Sequence, residues 1–111
     1  MEKPLINVRF MLNVRVFMTV RFHEGLREFW RDTKMPALPP VGCVFSSDSI
    51  EDDCVDVVKI WYIEELQLFV VELEDYDIRT QIHMHDDFFI SKGWKQNSAA
   101  NWIMTPFSEE V

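Results

Sequence analysis

The sequence predicts a mainly β domain with a minor helical component: a small, strongly bent antiparallel sheet, partly closed into an SH3-like or OB-like barrel, with one or two short helices. Three observations carry this expectation. From residue 8 to 22 every even position is apolar, which is period-2 alternation without exception. Further runs rich in Val, Ile, Phe and Tyr recur at short spacing between turn-forming residues. Helical spacing, in contrast, is confined to two patches too short to build a bundle.

The first element is Val8 to Phe22, with Val8, Phe10, Leu12, Val14, Val16, Met18, Val20 and Phe22 on one face and Arg9, Arg15 and Arg21 on the other. Fifteen extended residues would span about 50 Å, long for a domain whose radius of gyration should be ~13 Å. The strand must therefore bend, break near Asn13, or leave the domain to pair with a second copy of the chain, as in a homodimer. A tight hairpin after it is disfavoured, because no Asn-Gly or Asp-Gly occurs. Leu26, Phe29 and Trp30 have i, i+3, i+4 spacing ahead of Pro36, which predicts a short helix or structured loop.

Met35 to Pro40 must be extended, since residues preceding proline are pushed out of the helical region. A short strand over Val41 to Phe45 and an acidic loop over Ser46 to Asp53 follow. Cys54 to Ile63 and Leu66 to Glu74 are β-rich runs around Glu64-Glu65, a hairpin by proximity. Ile78, Thr80, Ile82 and Met84 alternate with polar residues in a last strand. Asp86 or Asp87 can cap a short helix through Ile90, with Gly93 at its C′ position and Trp94 folding back. Residues 95 to 111 form a looser C-terminal segment of the same single domain.

At 111 residues, 48% hydrophobic and 14% aromatic, the chain is long enough for one modest core and too apolar to be disordered. No apolar run approaches the ~18 residues of a membrane helix. Met1-Glu2-Lys3-Pro4 does not open a secretory signal, which points to the cytoplasm. Cys43 and Cys54 are too few for a disulfide framework or a paired CxxC zinc site.

The net charge of −8 divides unevenly: residues 1–34 carry +3 and residues 35–111 carry −11. A chain of this sign repels phosphates over most of its surface, which argues against free DNA or RNA as a ligand. It suits a basic protein partner. Glu72, Glu74, Asp75 and Asp77 are the carboxylates expected to face such a partner, as in an adaptor, an inhibitor or a nucleic-acid mimic. Trp94 and Trp102, near Phe88-Phe89 and Phe107, are candidates for an aromatic contact patch.

Two other functions have a residue basis. His83 and His85 lie two apart on a strand, with Cα atoms about 6.6 Å apart, close enough to share a metal if a third ligand converges. An aromatic-lined barrel mouth would suit a small molecule. No nucleophile motif, glycine-rich phosphate loop or HExxH pattern occurs, and no cofactor is implied. The expectation is a non-enzymatic interaction protein.

Overall fold

The structure, a computed structural model, describes residues 10–47, 50–78, 86–96 and 102–108, and of 47, 50–54 and 86 the backbone alone. The chain is mainly β, as the alternation predicted, and the described residues include one short helix. Its elements are β1 (Leu12–Phe22), β2 (Gly25–Met35), β3 (Val44–Ser47), β4 (Ile50–Ile63), β5 (Leu68–Leu73), β6 (Tyr76–Asp77), α1 (Asp86–Ser91) and β7 (Lys95–Gln96). The strands form one sheet in the order β3-β4-β5-β1-β2-β7, with β6 also against β1.

This sheet is mixed and open, where an antiparallel, partly closed barrel was expected. Strand β5 returns beside β1 and runs parallel to it, as does β6. Parallel neighbours need a long crossover, and here β2, β3 and β4 supply it. Short-range alternation carries no signal for that choice.

β1 is the central strand. Val14, Val16, Met18 and Val20 are fully buried and Phe22 nearly so, each on the even-numbered face that the sequence marks as apolar. The ladder starts at Leu12, so the strand is eleven residues long and spans about 36 Å. Phe10 stands outside it and is 73% exposed, an exception to the even-position rule among the described residues. Residues 12–22 pair with β2 along their whole length, and β5 and β6 take much of the other edge. That stretch consequently has little free edge for a second copy; residues 1–9, Arg9 included, lie outside the described residues.

A tight hairpin follows after all. Phe22 pairs with Gly25 across His23-Glu24, and the two turn residues keep negative φ while Gly25 takes φ +141°. The positive-φ residue sits just after the turn, so a search for Asn-Gly within it misses the hairpin. The helix expected around Leu26 to Trp30 is likewise strand β2. Phe29 and Trp30, adjacent in sequence, point to opposite faces, Phe29 into the large core and Trp30 against Arg15. Eleven cross-strand pairs with β1 outweigh a helical spacing of three residues.

β4 contains a bulge. Val57 opposes Leu73 and Lys59 opposes Glu72, which leaves Val58 as the extra residue. The insertion reverses the alternation: Val55 and Val57 belong to the large core and Ile60 packs against it, while Trp61 and Ile63 turn to the opposite face. The β4–β5 hairpin turns over Glu64 to Gln67, as the two β-rich runs predicted, with the Gln67 amide donating to the Glu64 carbonyl at 3.2 Å.

The large core joins the even face of β1 to Phe29, Val71, Leu73, Tyr76, Ile78, Phe89 and Trp94. Helix α1 lies over it through Phe88 and Phe89. The end of α1 is the predicted one. The Trp94 amide donates to the Phe89 carbonyl at 3.0 Å and the Gly93 amide to the Ile90 carbonyl at 3.1 Å, the two bonds of a Schellman cap around a Gly93 at φ +95°. Trp94 is thereby folded into the core. Gly93→Ala is expected to cost about 1 kcal/mol, because alanine strains at positive φ; equilibrium urea unfolding checks it, and an unchanged midpoint would show that the cap does not position Trp94.

Of the strand expected over 78 to 84, Ile78 is buried, and its amide donates to the Arg21 carbonyl at 3.0 Å just beyond β6. Residues 79–85 and 97–101 lie outside the described residues.

Candidate functional site

The sheet has a second, smaller cluster on the odd-numbered face of β1. Ile63, Leu68, Val70 and Phe107 form it, with Phe17, Trp61, Leu66, Trp102 and Ile103 packed against them. Residues 102–108 lie across the sheet here as a strap without strand structure. Trp102 stacks on Phe17 with centroids 4.4 Å apart and meets Trp61 edge-on at 6.0 Å.

Arg15 is at the centre of this face and is fully buried. Its register partner on β2 is Asp32, and the two form a bidentate pair: Nε donates to Oδ1 at 2.6 Å and Nη2 to Oδ2 at 2.9 Å. Nη1 donates to the carbonyls of Trp102 and Thr105 at 2.6 and 2.7 Å, and Nη2 also donates to that of Pro106 at 3.1 Å. A guanidinium has five N–H donors, and five acceptors meet them here. Asp32 Oδ2 further accepts the Ser108 amide at 2.7 Å. The Trp30 ring covers Arg15, with Cζ 4.3 Å from its centroid. A buried cation is tolerable only when paired and fully hydrogen-bonded, and this one is both.

The acidic residues singled out by the sequence divide into different environments. Glu72 is half-buried and accepts a hydrogen bond from Trp61 Nε1 at 2.5 Å, so its carboxylate helps orient the aromatic cluster. Glu74, Asp75 and Asp77 are exposed, as is Asp56 across from Glu74 on β4. The Glu74 amide donates to the Asp56 carbonyl at 2.9 Å, and the Asp56 amide donates to Glu74 Oε2 at 3.2 Å. Asp75 faces Arg21 at 3.9 Å with both side chains largely solvated, a pair worth at most ~1 kcal/mol. Asp77 stands opposite Arg21 in the β1–β6 register. The structure thus gathers Asp56, Glu74, Asp75 and Asp77 at the end of the sheet where β5 passes into β6. Glu64 and Glu65 occupy the β4–β5 turn at the other end of those two strands.

The aromatic candidates separate as well. Trp94 is 1% exposed and belongs to the large core, with Arg31 stacked on it at 4.7 Å. Trp102 belongs to the strap, on the opposite face. They do not share a patch. His83 and His85 lie outside the described residues; among the described residues, no three His, Cys, Asp or Glu side chains are grouped to hold a metal ion. No described helix is long and apolar enough to cross a membrane.

Asp32 is the residue that sequence reasoning passed over. Cross-strand neighbours of opposite charge stabilise a sheet, and the hairpin register supplies such an acid for Arg15. Had the turn at His23-Glu24 been identified, counting outward from it would have set Asp32 opposite Arg15.

Fold and clusters of the described residues together define a class: a small open mixed sheet, apolar on both faces, with a short helix over one face and the 102–108 strap pinned over the other. Comparison with protein-family models, with curated proteins and with solved structures yields no match.

Proposed function

We propose that the protein is a non-enzymatic interaction module that binds a basic protein surface, as an adaptor or inhibitor does, through the acidic end of its sheet. The observation that supports this reading is the exposure of Asp56, Glu74, Asp75 and Asp77 at one end of two paired strands. One backbone hydrogen bond, and one from the Asp56 amide to the Glu74 carboxylate, hold two of these positions at a fixed spacing. Carboxylates presented on a rigid ladder lose little conformational freedom when a cationic partner docks, and their field accelerates its approach. The chain's overall charge of −8 works in the same direction.

Charge alone would attract any polycation, so the test separates location from total charge. Glu74→Lys with Asp75→Lys and Glu64→Lys with Glu65→Lys change the net charge equally at opposite ends of β5. Binding to an immobilised arginine-rich peptide is expected to weaken about tenfold or more in the first variant, since two charge contacts of ~1 kcal/mol or so each are lost and reversed. The second variant should change it far less. Equal weakening in both would show that only net charge matters and would remove the acidic end as the site.

A further inference from the structure

We infer that the strap over residues 102–108 is an exchangeable ligand, and that the groove beneath it accepts the same segment from a second copy of the chain. Arg15 and Asp32 recognise the strap through its main chain. Arg15 holds the carbonyls of Trp102, Thr105 and Pro106, and Asp32 accepts the amide of Ser108. Two aromatic side chains five residues apart, Trp102 and Phe107, then fill the apolar floor made by Phe17, Trp61, Leu68 and Val70. Main-chain hydrogen bonds for affinity and side-chain pockets for specificity are how sheets recognise short segments of chain.

The strap is also separable from the rest of the fold. It adds no strand to the sheet, and no residue of 102–108 belongs to the large core around Val16, Phe29, Phe89 and Trp94. Lifting it uncovers an aromatic floor and three donor bonds of Arg15, while the Arg15–Asp32 pair stays intact across the β1–β2 ladder. A surface of that kind, apolar with a polar centre, is what a docking groove presents. The chain's own strap fills it, and the strap of another copy makes the identical contacts. Exchange of an identical element is a low-cost route to a dimer. In the unmodified protein the tethered strap acts at an effective concentration of roughly millimolar, so the closed monomer prevails in dilute solution.

Complementation tests this with full-length chains. Arg15→Ala has a sound strap and a defective groove; Trp102→Ser with Phe107→Ser has a sound groove and a defective strap. Each alone is expected to be monomeric by light scattering, and an equimolar mixture to give a heterodimer, raising the dimer fraction at least tenfold over either variant. A mixture that remains monomeric while both variants keep their β circular dichroism overturns the inference. If either variant does not fold, hydrogen exchange of the unmodified chain decides. The Ser108 amide should exchange at least tenfold faster than those of Val16 and Val71, through openings that leave the sheet protected. Exchange of Ser108 at the same rate as those two, by global unfolding alone, would equally overturn it.

Discussion

Replacing Arg15 by alanine is expected to lower the unfolding free energy by about 3–5 kcal/mol, the loss associated with leaving one member of a buried ion pair without its partner. The Asp32 side chain is 1% exposed, so water reaches its carboxylate only if the structure opens. Three strap carbonyls lose their donor in the same step. Arg15→Lys should recover little, because an ammonium presents its three donors from a single atom and cannot serve a bidentate carboxylate and three carbonyls at separate positions. Converting both members, Arg15→Met with Asp32→Leu, removes the stranded charge and should recover part of the loss. It should not recover all of it, since the strap's carbonyls and the Ser108 amide stay unpaired. Urea unfolding of the four proteins measures the series. A loss below ~1 kcal/mol for Arg15→Ala would place the pair among solvated ion pairs.

Phe89→Ala should be comparably damaging, about 3–5 kcal/mol, for a different reason: the transfer free energy of the ring and the cavity it leaves. Phe89 is fully buried and is the aromatic hub under α1. Its ring centroid lies 5.9 Å from Phe22, 5.0 Å from Phe29, 6.4 Å from Tyr76 and 5.2 Å from Phe88. A six-residue helix is too short to persist without tertiary contacts, so removing this ring should release α1 and with it the Trp94 fold-back. The neighbouring Ile90 is 45% exposed, and Ile90→Ala should stay within about 0.5 kcal/mol plus its small loss of packing. Near-UV circular dichroism of the tryptophans together with thermal unfolding would separate the two. Equal effects at 89 and 90 would mean that the helix does not anchor through Phe89.

Much of the fold was legible because it rests on short-range rules. The even face of β1 was read correctly from Leu12 to Phe22, since alternation follows from the two-residue repeat of an extended chain. The Gly93 cap was read correctly because only a residue at ease with positive φ closes a helix in that way. The β4–β5 hairpin followed from two β-rich runs with a polar joint. The acidic positions Glu74, Asp75 and Asp77 were placed on the surface by their charge, and they are exposed.

The misreadings came where one local signal had two solutions. Leu26, Phe29 and Trp30 suit a helix by spacing, but the β1 ladder offers apolar shelter on both faces of a strand, and that decided the matter. The run Cys54 to Ile63 was read correctly as strand, but its bulge at Val58 was not, because a break in alternation does not say whether a strand ends there or shifts face.

The sequence alone determined which residues had to be buried as extended chain, where α1 would stop, and that the surface would be acidic, because each depends on neighbours a few positions apart. Only the tertiary structure decided that β5 runs parallel to β1, that Glu72 serves Trp61 instead of solvent, and that Arg15 and Asp32 hold the far end of the chain. Those outcomes join residues 11 to 91 positions apart. Loop-closure entropy disfavours every such contact, so which of them form depends on how all the packed surfaces fit together at once.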